Sequence, residues 1–172
     1  MGMTQQNDCL IGLYRRVYRR PRLVLALKTV GTLAVILVAL SFLYALFLLV
    51  FFGDYLRAVE LLTYSGVPFL AVSLMRTHVD CKRPYEAFDI PEFSAMKAQR
   101  RAGRSFPSRH VFSAFLIGML WCIYSVPLGI AAMLLGTYIA LERVLLGIHF
   151  PRDVIAGAAI GVLSGLVGIL IW

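Results

Sequence analysis

The sequence predicts an all-α, polytopic transmembrane helical bundle of about five spans, with a loop-rich segment at one membrane face. Three observations carry this expectation. Apolar residues make up 60% of the 172-residue chain and charged residues only 15%, where a soluble domain carries roughly a quarter charged. The apolar residues are gathered into runs of bilayer-crossing length. Residues 76–109, crowded with proline, glycine and charge, are the one sizeable stretch without such a run.

The length is that of a single domain, read as a basic amino-terminal segment, 1–22, followed by a membrane domain, 23–172. Five arginines and no small-residue cleavage site precede the first apolar run, so that run is expected to be a retained anchor. It forms the first span, about 23–52, interrupted only by Lys28 near its start, where the side chain can snorkel to the interface. A polar break at Gly53, Asp54 and Arg57 leads to a second span, about 58–75, with Glu60 as an interfacial residue.

Residues 76–109 follow as the loop in which chemistry is expected. The apolar run from Val111 to Leu146 is too long for one crossing, being on the order of 50 Å as a helix. Ser125, Pro127 and Gly129 therefore mark a turn between a third span, about 110–125, and a fourth, about 128–146. The last span, about 154–172, carries Gly157, Ala158, Gly161, Ser164, Gly165 and Gly168, small residues that let helices approach closely.

The net charge of +8 does not indicate nucleic acid, because the arginines flank apolar runs instead of forming a solvated stripe. Anionic headgroups of the lipid bilayer and a phosphorylated substrate fit better. Five crossings put the amino terminus, the 76–109 loop and the 147–153 connection on one side. Every lysine and arginine but Arg57 lies on that side or at a helix end facing it. Lys97, Arg100, Arg101 and the amino-terminal cluster thus make it the cytoplasmic side of a multi-pass cell-membrane protein. Cys9, Cys81 and Cys122, odd in number and without a C-x-x-C pair, suggest neither a disulfide framework nor a zinc site.

Three short patterns sit at span ends on this same side. They are Arg76, six residues, then Arg83-Pro84; Pro107-Ser108-Arg109-His110; and Arg143, five residues, His149, three residues, Asp153. Singly, each has a plain explanation as helix-end cations or caps. Together they bring arginines, two histidines and a carboxylate to one face, a set suited to a phosphate group. Arginine forks grip phosphate oxygens in pairs and remain charged, so several can stand in for a metal. Amides near Ser108, at a helix start, would add donors. Neutral imidazole is a competent nucleophile near neutral pH. Asp153 is spaced to hold the proton on the other ring nitrogen of His149, and protonated His110 can supply the leaving oxygen's proton. His78, Asp80, Glu86, Asp89 and Glu92 lack motif spacing and read as a solvated loop, so no metal and no cofactor is expected.

The three patterns resemble the type-2 phosphatidic acid phosphatase superfamily, whose motifs are K-x6-R-P, P-S-G-H and S-R-x5-H-x3-D in that order. The resemblance covers about residues 76–153. It implies His149 as the residue that becomes phosphohistidine, Asp153 as its orienting partner, and His110 as general acid and then base. Arg76, Arg83, Ser108 and Arg143 would bind the phosphate; Arg109, where the family has glycine, either crowds the backbone's approach to phosphate or joins these residues as a further cation. Three positions depart from the family pattern: Arg76 stands for lysine, Arg109 for glycine and Glu142 for serine. The function so implied is metal-independent hydrolysis of a lipid phosphate monoester or diphosphate: phosphatidate, phosphatidylglycerophosphate or a polyprenyl diphosphate. The alternatives are phosphate transfer from the same site to another acceptor, and non-catalytic binding of anionic lipid.

Overall fold

The computed structural model describes residues 3–99 and 103–171, and every regular element in that range is helical. Arg100 and Arg101, which contribute to the expected charge bias, lie outside the described residues. Helix α1, Met3–Tyr18, turns at Arg19 and Arg20 into α2, Pro21–Phe51, with Pro21 at a position where its missing N–H costs nothing. At 31 residues, α2 is about 46 Å long and overshoots the hydrocarbon core. Helix α3, Tyr55–His78, is capped by Asp54, whose side chain accepts from the Arg57 amide at 3.2 Å.

Short helices fill the loop: α4, Pro84–Ala87, a 3-10 turn, Pro91–Phe93, and α5, Ser94–Gln99. Then come α6, Arg109–Tyr124, α7, Val126–Leu145, and α8, Pro151–Ile171. Pro127 and Gly129 lie inside the first turn of α7, so the reversal after α6 is confined to Ser125.

Among the described residues, four helices, α2, α3, α7 and α8, are long and apolar enough to cross a membrane. The third expected span corresponds to α6, which has 16 residues and a length of about 24 Å. Its shortness goes with its place: α6 packs against α2, α3, α7 and α8 and forms the axis of the bundle. Val111, Phe112, Ala114, Leu116 and Leu120 on it are all buried.

The closest packing is between α6 and α8. Gly157 and Gly161, one helical turn apart, lie directly under α6. A Cβ on Gly157 would come 2.6 Å from the Ser108 carbonyl oxygen, and one on Gly161 would come 2.5 Å from that of Phe112. Glycine here removes a steric barrier between backbones, as in other membrane helix pairs.

A second core lies at the loop end of the bundle. Tyr14 and Val17 of α1 pack with Tyr85, Phe88, Ile90, Phe93 and Met96 of the loop and with Leu146 and Ile148 beyond α7. Tyr18 donates its hydroxyl to the Leu146 carbonyl at 3.1 Å. The amino-terminal segment is thus a helix docked behind the turn that carries His149, with Arg15, Arg16, Arg19, Arg20 and Arg22 exposed.

Candidate active site

The first motif ends α3 and enters the loop. Arg76 is only 5% exposed, and its guanidinium donates from one terminal nitrogen to the Pro107 carbonyl and from the other to the Arg104 carbonyl. It therefore fastens residues 104–107 to α3. Arg83 donates through Nε to the Gly103 carbonyl at 3.1 Å, and its Nη1 lies 3.5 Å from the Ile148 carbonyl. One side of this guanidinium is thus next to the residue preceding His149.

Glu86 ties the same loop from the other side. Its two carboxylate oxygens accept from the Arg83 amide at 2.8 Å and from the Gly103 amide at 2.7 Å. Asp80 accepts from the Arg104 amide at 3.2 Å, and Asp89 pairs with Lys97 at 2.9 Å. Glu86, half-buried, is therefore a brace of the 103–108 segment, unlike the solvated carboxylate expected there, while Asp80 braces the same segment and stays exposed. Asp89 is exposed as expected, and the hydrogen bond from Lys97 holds its carboxyl below the usual range.

The second motif opens α6. Ser108 is its N-cap residue and is completely buried. Its amide donates to the Asp153 carbonyl at 2.9 Å, so that amide is committed to holding α6 against α8. The first intrahelical bond of α6 runs from Phe112 to Ser108. The amides of Arg109, His110 and Val111 precede it, at the positive end of the helix. The Ser108 hydroxyl has no hydrogen-bond partner among the described residues. Arg109 and His110 are exposed and line a cavity of about 300 Å³ whose other walls include Val35, Val38, Ala39, Phe69, Ser113 and Ile139. A second cavity of about 270 Å³, with Phe42, Leu62 and Leu116, shares Phe69, Ser113 and Ile117 with the first. The two make one apolar groove over α6 between α2 and α3.

The third motif joins α7 to α8. Arg143 lies in the last turn of α7, its Nε 3.1 Å from the buried Glu142 carboxylate. Glu142 packs on α2 at Gly31, where a Cβ would come 2.9 Å from its carboxyl carbon. The Arg143 carbonyl then accepts from the amides of Ile148 at 2.9 Å and His149 at 3.2 Å, and Gly147 makes the reversal at φ 66°, where other residues are strained. These bonds set His149 beneath the end of α7, 2% exposed.

The Asp153 carboxylate is completely buried, and its Oδ2 accepts from the Phe150 amide at 3.0 Å. Oδ2 lies 3.7 Å from Nδ1 of His149, beyond ordinary hydrogen-bond reach. Ser105 stands beside both: its hydroxyl is 2.5 Å from Asp153 Oδ2 and 3.3 Å from His149 Nδ1. A loop serine among charged residues carries no spacing signal, so the sequence alone does not point to Ser105. Its place just before the second motif is the only hint in the sequence.

All eight expected site residues meet at one end of the bundle. His110 lies within electrostatic reach of Arg143, His149, Arg109 and Arg76, and Arg76 within reach of Arg109, Arg83, Asp153 and Arg104. Burial lowers the His149 pKa below its ordinary 6.5; the Asp153 carboxylate opposes that shift, and Arg83 and Arg76 reinforce it. The imidazole is therefore neutral near pH 7, with a lone pair available.

The fold is similar to those of solved structures. LpxE of Aquifex aeolicus superposes with a TM-score of 0.66 at 23% identity, covering 94% of each chain. A transmembrane PAP2-type phosphatidylglycerolphosphate phosphatase from Bacillus subtilis superposes with a TM-score of 0.67 at 17% identity, over 99% of this chain and 87% of that one. In sequence, 62 residues are 40% identical to the bacitracin transport permease protein BcrC of Bacillus licheniformis. That match takes in 36% of this chain and 30% of the relative. Residues 57–172, which hold all three motifs and well over half of the sequence, match the model of the PAP2 superfamily, and the chain belongs to that family.

Proposed function

We propose that this membrane phosphatase removes phosphate from a membrane lipid, without a metal, by way of a phosphohistidine at position 149. The observation that carries the reading is the adjacency of two unlike environments. Arg109 and His110 belong at once to the cationic cluster and to the wall of the apolar groove. A phosphorylated headgroup fits among the guanidinium groups while the chain attached to it runs down the groove between α2 and α3.

Arg83, Arg143 and Arg76, with the Ser108 hydroxyl and the opening amides of α6, neutralise the phosphate oxygens. The Nε2 lone pair of His149 attacks phosphorus, and the N–P bond forms as the bond to the leaving oxygen breaks. Protonated His110 delivers its proton to that oxygen. The now neutral His110 then takes a proton from water, whose oxygen attacks phosphorus. Inorganic phosphate departs and the His149 lone pair returns.

Phosphatidate, phosphatidylglycerophosphate and polyprenyl diphosphates all combine the required parts. One of the similar folds is that of a phosphatidylglycerolphosphate phosphatase, so glycerolipid phosphates belong beside polyprenyl diphosphates in one assay panel. The charge bias supports a site on the cytoplasmic face, where α1 also docks. Labelling of the exposed position Ser94→Cys in intact cells tests this: protection from an impermeant reagent is expected, and ready labelling contradicts it. For the reaction, detergent-purified protein should release phosphate from such lipids in the presence of a chelator. Dependence on added metal would contradict the reading.

A further inference from the structure

We infer that Ser105 is a positioning residue of this reaction, its hydroxyl being the link through which Asp153 governs the imidazole of His149; the inference rests on His149 acting as nucleophile. The geometry leaves little room for a direct contact. His149 Nδ1 and Asp153 Oδ2 are 3.7 Å apart, whereas the Ser105 oxygen is 3.3 Å from the first and 2.5 Å from the second. Asp153, as a carboxylate, only accepts. Ser105 therefore donates its one proton to Asp153, and its oxygen is left to accept from Nδ1–H.

This orientation has a chemical consequence. An acceptor at Nδ1 keeps the proton on that nitrogen and leaves the lone pair on Nε2, the nitrogen that must meet phosphorus. When Nε2 bonds to phosphorus the ring becomes a cation, still protonated at Nδ1. The hydroxyl, polarised by the carboxylate, then accepts a stronger hydrogen bond. Ser105 touches neither substrate nor leaving group, and it changes no proton count during the step.

Its surroundings suit that duty. Ser105 is completely buried, and its amide donates to the Cys81 carbonyl at 3.0 Å. Both neighbouring parts of its loop are fixed, Gly103 by Glu86 and Arg83, and the Arg104 and Pro107 carbonyls by Arg76. Two motif arginines are thereby given a second task, which is to place a serine outside the motifs.

The test compares Ser105→Ala, Ser105→Thr and Ser105→Val in the full-length, detergent-purified protein. Thr and Val have nearly the same shape, and only Thr keeps the hydroxyl. Ser105→Ala and Ser105→Val are expected to lose kcat by on the order of tenfold or more, the range of a hydrogen bond to a charged group, with KM within about twofold of the parent. Ser105→Thr should recover most of the loss. Equal activity in Thr and Val variants, or an unchanged kcat in Ser105→Ala, overturns the assignment. Should the larger side chains fail to fold, Ser105→Ala combined with Asp153→Asn decides. A hydroxyl acting through Asp153 makes the double variant little worse than Asp153→Asn alone, and multiplied losses contradict the link. A separate His149→Ala control shows whether the underlying reading fails: full activity there removes the nucleophile itself, whatever the Ser105 variants do.

Discussion

Gly157 of α8 lies directly against Ser108, the residue that caps α6: a Cβ at position 157 would stand 2.6 Å from the Ser108 carbonyl oxygen. With Gly161 against Phe112 one turn further on, this pair sets the distance between the helix carrying His110 and the helix carrying Asp153. The obstacle is backbone, which cannot swing aside as a side chain does. Gly157→Ala should force the two helices apart, lower stability by about 1–3 kcal/mol, and depress phosphate release at temperatures where the protein is still folded. Thermal unfolding in detergent alongside activity checks this. Unchanged melting and turnover would show that the helices do not depend on the contact.

Arg76 should prove structural as well as phosphate-binding. Its two terminal nitrogens hold the carbonyls of Pro107 and Arg104, and hydrogen bonds from a charged donor are worth about 1.5–3 kcal/mol each. Arg76→Ala should abolish turnover and also make the 103–108 loop susceptible to limited proteolysis. Arg76→Lys restores the family's usual residue but reaches fewer acceptors, so it should retain part of the activity with the loop still looser than in the parent.

The pH dependence follows from the state of His149. Its folded pKa lies below the ordinary 6.5, chiefly through burial, and only the neutral ring is nucleophilic. Activity is therefore retained as pH falls through 6.5 and is lost only when the lowered pKa is passed. A plot of kcat/KM against pH should show its acid limb below 6.5. A limb at or above that value contradicts burial as the dominant influence.

The groove makes a prediction about substrate size. Ala39 lines it beside Val38 and Phe69, and Ala39→Trp would fill much of the space. KM for a long-chain phosphorylated lipid should rise about tenfold, corresponding to about 1.4 kcal/mol of lost apolar contact. Hydrolysis of a short, water-soluble phosphate ester should stay near the parent rate. Equal loss on both substrates would place the chain elsewhere.

The reasons for what could be read in advance are specific. Arginine and histidine at fixed spacing stand out in a chain that is otherwise apolar, so Arg76, Arg83, His110, Arg143, His149 and Asp153 announce themselves. The bundle was legible because a bilayer demands long apolar runs. The inner position of α6 was not, because its composition differs little from that of a lipid-facing helix. Charge hid the docking of α1: its arginines dominate the segment, while Tyr14, Val17 and Tyr18 carry the contact. Glu86 looked like a solvated loop residue because carboxylates near proline and glycine usually are; its two backbone partners are 3 and 17 residues away. Ser105 depends on partners 44 and 48 residues distant, a relation that no local pattern encodes.

The nucleophile is tested most directly by rapid acid-free quenching of turnover with a lipid labelled at its phosphorus. The intact protein should carry label in an alkali-stable, acid-labile bond, and His149→Ala should carry none and release no phosphate. Label or phosphate release persisting in His149→Ala would contradict the account at its centre.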